Sequence, residues 1–193
     1  DEAKAGGGWS GEKGGDLRIA VPSQHVCQRS AVTVQADGSV QVRFTIALPA
    51  RGRSISGGML RHVLTSCLPD IVTASCQFAQ LDAADLQRHI CSVEDQEHLR
   101  GLLYGAGLVA FVRNGAVLPR ATGASDKPMA GKDVVPFASP PGLEVEFTLP
   151  NLGKIRGMGV KRGVSLVVGG GFHGKSTLLK ALEGGVYNHI PGD

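Results

Sequence analysis

A chain of 193 residues with 42% hydrophobic content can bury one good core, or divide into one complete domain and part of another, which excludes disorder as its global state. Aromatic residues make up only 5% while glycine numbers 28, so the core must rest on Val, Leu, Ile and Ala, as in an ordinary mixed α/β protein. The net charge of +3 is spread along the chain and permits phosphate-bearing partners without demanding them.

Residues 1–16 are rich in Gly, Lys and Glu, with Trp9 nearly alone as an apolar side chain; they cannot offset their own ordering entropy and are expected to be flexible. Val32, Val34, Val40, Val42, Phe44 and Ile46 alternate with polar residues around Asp37-Gly38, which predicts a β-hairpin. Pro49 and Arg51-Gly52-Arg53 end it. Ile55, Met59, Leu60, Val63, Leu64 and Cys67 then recur at helical spacing up to Leu68-Pro69, which is expected to stop that helix. Further helices are predicted at 70–79, at 82–91 opening on Asp82, and at 93–104, where Ser92 and Asp95 have capping-box spacing; Gly105 and Gly107 end the last.

Leu108–Val112 and Ala116–Leu118 flank Asn114-Gly115 and predict a second hairpin. Residues 121–142 read as a long loop, Leu143–Leu149 as a strand, Pro150–Gly153 as a turn, and Gly163–Val168 as a short apolar strand. The four cysteines, Cys27, Cys67, Cys76 and Cys91, form no C-x-x-C pair, and three sit in apolar periodic segments, so they are expected to be reduced core thiols of an intracellular protein. No apolar run approaches the roughly 18 residues a membrane helix needs, and no hydrophobic signal core opens the chain; a soluble, cytoplasmic or organellar protein is expected.

The chemistry concentrates in Gly169-Gly170-Gly171-Phe172-His173-Gly174-Lys175-Ser176, a P-loop pattern that follows an expected strand and opens an expected helix from Ser176 to Glu183. Glycines let backbone N–H groups turn inward to cradle β- and γ-phosphates, and a helix N-terminus adds its positive end. Lys175 would bring a point charge to the same phosphate oxygens, Ser176 would ligate Mg²⁺, and Thr177 would reach the α-phosphate. Phe172 and His173 belong to the loop, His173 through its amide more than its side chain. Phe147 is a candidate platform for adenine, although a strand core position is the plainer reading. His62, His89 and His98 have no spacing that pairs them with cysteines as a zinc site.

Several segments resemble the predicted ABC-class ATPases, proteins with an N-terminal domain ahead of an ABC-like ATPase core. The resemblance rests on Val42–Thr45 with Leu48–Arg53, Glu94-Asp95-Gln96 with Leu99-Arg100, Leu108–Val112 with Leu118-Pro119-Arg120, and Gly123, Ser125-Asp126, Pro136-Phe137 and Gly157-Met158-Gly159. It continues through Val167–Leu179 and Gly185–Asp193, and covers residues 24–193. It implies an ABC-like fold, ATP and Mg²⁺, association with RNA for some relatives, and a homodimer closing over nucleotide. It also implies a Walker B carboxylate, a signature segment and a switch histidine downstream of the P-loop, which this chain lacks, so the chain is expected to be the opening part of a longer ATPase. The loop Arg120–Asp126 is a second candidate contact for nucleotide or partner, against a simple turn in which Ser125 and Asp126 bond their own backbone.

The sequence thus predicts an α/β protein: a flexible segment over 1–16, an α+β N-terminal domain over 17–140, and the beginning of an ABC-like P-loop core over 141–193. Its expected function is ATP binding and, in the intact protein, hydrolysis coupled to conformational change. A nucleotide-switched RNA-binding protein using Arg43, Arg51, Arg53, Arg113, Arg120, Arg156, Lys161 and Arg162, a P-loop kinase, and a structural protein with a relict loop stand as alternatives.

Overall fold

The computed structural model describes residues 13–132 and 134–193. Most of the segment expected to be flexible, residues 1–12, lies outside them. Its last residues do not follow that expectation: Gly14, Gly15 and Asp16 are buried, and Gly15 takes a left-handed φ of 81° where a Cβ would stand 3.3 Å from Val63.

In chain order the strands are β1 (Leu17–Arg18), β2 (His25–Val26), β3 (Val32–Val34), β4 (Val40–Val42), β5 (Thr45–Ile46), β6 (Ala50–Arg51) and β7 (Ser54–Ile55). Helices α1 (Gly57–His62), α2 (Leu68–Cys76) and α3 (Ala83–Gly105) follow, then β8 (Leu108–Arg113), β9 (Glu144–Leu149), β10 (Gly153–Lys161), α4 (Lys175–Gly184) and β11 (Asn188–His189). The fold is mixed α/β. The described residues gather into two compact units, 13–22 with 28–86, and 23–27 with 87–193. The domain boundary expected at residue 140 concerns where an ATPase core opens and is taken up below as a proposal.

In the first unit, the alternating valines form the predicted hairpin: β3 pairs antiparallel with β4, Val32 opposite Val42. Its turn is closed by Asp37, whose carboxylate accepts the Ser39 N–H at 2.9 Å, and by Gly38 at φ 82°. Thr45 and Ile46 leave that hairpin to pair with β1. Leu17 and Val63 form the buried centre, with Ile46, Met59, Cys67 and Ile71 packed around them.

Leu68-Pro69 does not stop the helix. Between α1 and α2, residues 63–67 form one π-helical turn, with the Leu68 N–H donating to the Val63 carbonyl five residues back. Widening the turn removes the carbonyl clash a proline ring brings in a regular helix, and Pro69 sits in the first turn of α2, where no intrahelical donor is required. The break expected near residue 92 is also absent. Asp82 caps α3, accepting the N–H groups of Ala84 at 2.9 Å and Asp85 at 3.1 Å, and the helix runs unbroken to Gly105. Ser92 and Asp95 lie inside it rather than at a cap.

In the second unit, β8, β10 and β9 form an antiparallel sheet in that order, with Leu108, Val112, Leu149, Ile155 and Met158 buried. The predicted hairpin of β8 with Ala116–Leu118 does not form. β8 pairs instead with β10, Val112 opposite Met158. The reason is steric: β10 carries Gly157 and Gly159, and a Cβ at Gly157 would stand 2.2 Å from the Val112 carbonyl oxygen, so only glycine admits this approach. Those glycines also break the β-forming pattern, which is why sequence reading passes over the central strand.

Asp95 is 2% exposed and accepts the N–H groups of Asn151 at 2.9 Å and Leu152 at 3.0 Å, fixing the turn between β9 and β10. The apolar segment 163–168 forms no strand: Val164 is fully exposed, and no described strand pairs with it. A strand hydrophobic on both faces belongs inside a parallel sheet with neighbours on either side, and the described sheets are all antiparallel. Finally, the four cysteines are free but half-buried, not core residues as expected.

Candidate phosphate-binding site

Residues 169–174 form an exposed turn that delivers the chain into α4. Its backbone alternates in hand: Gly169 (φ 153°), Phe172 (φ 61°) and Gly174 (φ 78°) all lie at positive φ. Glycine meets two of these without strain; Phe172 takes the left-handed region with its ring fully exposed, so the ring packs against nothing that would offset the strain.

The electrostatic consequence lies in the amides. Among the described residues, no acceptor meets the N–H groups of Gly171, Phe172, His173, Gly174 or Lys175. Free donors beside the positive end of a ten-residue helix are groups that attract an anion. Lys175, half-buried, donates from Nζ to the carbonyls of Gly169 at 2.6 Å and of Gly170. The Ser176 hydroxyl is exposed, and Thr177 is half-buried in the first turn. His173 turns its Nδ1 onto the Gly170 N–H at 3.0 Å, removing one donor from the cradle.

The other sequence candidates fall elsewhere. Phe147 packs edge-to-face on Phe111 at 5.5 Å and is half-buried on β9. In the loop Arg120–Asp126, the Ser125 N–H donates to Thr122 O and the Ser125 hydroxyl accepts the Lys127 N–H, so Ser125 follows the simple-turn reading, whereas the Asp126 carboxylate reaches the distant Gln24 N–H. The Asp126 carboxyl is held below its ordinary range first by the Ser23 hydroxyl and then by the Gln24 N–H. At least four of the eight basic residues considered for RNA are engaged within the protein: Arg43 with Ser30 and Gln41, Arg120 with Asp193, Arg156 with Glu146, and Arg162 over the Tyr104 ring at 3.7 Å.

Sequence reading gave no role to a polar cluster that holds the segment leaving α4. Gln96 donates to the His189 carbonyl at 2.9 Å and accepts the His189 N–H at 2.8 Å. Arg100 bonds Asn188, whose side-chain amide also donates to Glu97 at 2.6 Å, and Arg120 and His189 both bond Asp193. The Glu97 carboxyl is held low by Asn188 first and Arg100 second. A signal was present, since the motifs that carry the resemblance include Gln96, Arg100, Arg120 and Gly185–Asp193.

Among the described residues, no helix is long and apolar enough to cross a membrane, and no group of three or more His, Cys, Asp or Glu is placed to hold a metal ion. Comparison with known proteins separates the two parts of the chain. A model of the N-terminal region of ABC-class ATPases matches residues 5–79, and a model of the P-loop domain of ABC ATPases matches residues 82–193. An uncharacterized protein of Methanocaldococcus jannaschii is 34% identical over 108 residues, which are 53% of this chain and 24% of that protein, so the chain spans about a quarter of the relative's length. Taken with the exposed glycine loop opening α4, these matches mean that the chain belongs to the ABC-class ATPase family.

Proposed function

We propose that the protein binds ATP with Mg²⁺ at Gly169–Thr177 and, as an ATPase, couples hydrolysis to a conformational change. The observation that carries this reading is the run of unpartnered N–H groups from Gly171 to Lys175 at the N-terminus of α4. Such donors fit the β- and γ-phosphate oxygens of a nucleotide. In this reading the amides of Gly169–Gly174, with Phe172 and His173 contributing main chain, hold the phosphates. The Lys175 ammonium exchanges the Gly169 and Gly170 carbonyls for phosphate oxygens. The Ser176 hydroxyl would ligate Mg²⁺, which neutralises phosphate charge when bound, and Thr177 would contact the α-phosphate.

Residues 169–177 bind and orient, but they contain no carboxylate to position an attacking water, so hydrolysis draws on acidic residues outside this loop. The ATPase core is proposed to open near residue 141, and closure over nucleotide as a homodimer belongs to the same proposal. Nucleotide titration of the wild-type protein and Lys175→Ala is the test. Affinity should fall about tenfold or more on losing a charge-assisted phosphate contact; equal affinity in both would sink the reading. Phosphate release and sedimentation, each with and without ATP and Mg²⁺, examine hydrolysis and dimerisation separately.

A further inference from the structure

In the first unit a cleft of about 500 Å³ has Arg18, Arg29, Ser30, Arg43, Phe44 and Thr45 in its lining. Topology brings these residues together. Arg18 on β1 lies opposite Thr45 on β5, while the Arg43 N–H donates to the Ala31 carbonyl at 2.8 Å at the open end of the β3–β4 hairpin, so two short ladders meet at Arg43–Thr45.

The lining carries three guanidinium groups and no carboxylate. Arg43 is fixed in place: one terminal nitrogen donates to the Ser30 carbonyl at 2.5 Å and the other to the Gln41 side chain at 2.9 Å, which leaves further N–H groups on the same planar fork. Arg29 is exposed and makes no hydrogen bond or ion pair with any described residue. Arg18 is partly balanced by Asp16 at 3.8 Å, a residue outside the cleft. Forked cations in a cleft recognise planar or tetrahedral oxyanions with several acceptors, and Arg29 and Arg43, neither paired with an acid among the described residues, suit a dianion better than a single carboxylate. Phe44, 40% exposed, adds an aromatic surface to the same cleft, and the volume is that of a small-ligand site rather than an ion site.

We propose that this cleft binds a small phosphate ester carrying a ring, of mononucleotide size, with the phosphate on Arg29 and Arg43 and the ring against Phe44. The site belongs to the first unit and is separate in sequence from the P-loop.

Calorimetric titration with AMP tests it, in a Lys175→Ala background that disables the P-loop. Saturable binding is expected, with adenosine failing to bind. Arg29→Ala should weaken AMP about tenfold with an unchanged circular dichroism spectrum, because Arg29 has no described partner to lose, and Arg29→Lys should fall between. Phe44→Ala should weaken AMP more than it weakens inorganic phosphate. Absence of saturable AMP binding, or binding indifferent to Arg29→Ala, overturns the proposal. A random single-stranded oligonucleotide that binds far more tightly than AMP and is lost with Arg29→Ala also overturns it, in favour of a polynucleotide site.

Discussion

Asp95→Ala separates two accounts of the α3 interior. Sequence spacing makes Asp95 part of a helix cap; the structure makes it a 2% exposed carboxylate that accepts two backbone N–H groups, from Asn151 and Leu152, at the turn between β9 and β10. Each bond to the carboxylate is a hydrogen bond to a charged group, worth about 1.5–3 kcal/mol, and because Asn151 and Leu152 are exposed enough for water to reach the freed donors the low end applies to each. The Asn151 side chain adds little, because it keeps Glu94 at 3.1 Å. A total near 3 kcal/mol is a large share of the roughly 5–15 kcal/mol that holds a typical domain folded. At about 2–4 °C per kcal/mol for a chain of this size, the melting temperature should fall by about 6–12 °C.

Urea unfolding followed by circular dichroism, with differential scanning fluorimetry beside it, gives the number. Asp95→Asn, which retains one acceptor oxygen but turns an NH₂ toward the second donor, should lie between alanine and wild type. If Asp95→Ala stays within about 0.5 kcal/mol of wild type, the carboxylate is not holding that turn and the reasoning fails.

Gly157→Ala should cost more than about 2 kcal/mol or prevent folding, because its Cβ meets the Val112 carbonyl, which is backbone and cannot yield; Gly123→Ala, with open space around it, should leave the melting temperature unchanged. The Glu146 carboxyl is held below its ordinary value of 4.5 first by Lys154 and then by Arg156. A carboxyl whose folded value is depressed stabilises the fold above 4.5 and loses that contribution as pH falls through the folded value. Melting temperature should therefore decline with acidification below 4.5, and Glu146→Gln should flatten that limb; an unchanged slope would refute the pairing. His173→Ala releases the Gly170 N–H at the loop, so ATP affinity should stay within about threefold of wild type or rise. A hundredfold loss would mean that the imidazole itself contacts the nucleotide.

What was legible in the sequence had a local cause. The β3–β4 hairpin could be read because Asp37 and Gly38 close it within a few residues, and α4 because Gly174 and Lys175 mark its start. Where the reading failed, the deciding contact was distant. β8 chose β10 over Ala116–Leu118 because of Gly157, more than forty residues away and outside any β-forming pattern. Pro69 reads as a stop because nothing in the residue types announces the π-helical turn at 63–67 that accommodates it. Asp95 mimicked a cap because its true partners, Asn151 and Leu152, are fifty-six and fifty-seven positions on.

The motifs that chemistry left unexplained form a single device at the far end of the P-loop helix. α4 ends at Gly184, where carbonyls lose their helical partners. The Gly184 carbonyl accepts from His189 Nε2 at 3.1 Å, and the Gly185 carbonyl accepts from Arg100 at 3.3 Å. β11 has β2 as its neighbour on one side, and the Gln96 carboxamide, donating and accepting at His189, serves as a one-residue strand on the other. Arg120 and His189 then hold Asp193, whose side chain is 1% exposed. The helix is thus anchored at its C-terminal end through α3, while its N-terminal loop stays exposed with unpartnered donors. Fixing one end of the helix dipole while leaving the other open is the arrangement that lets a loop of glycines present its amides in a set direction instead of collapsing with the helix that carries it.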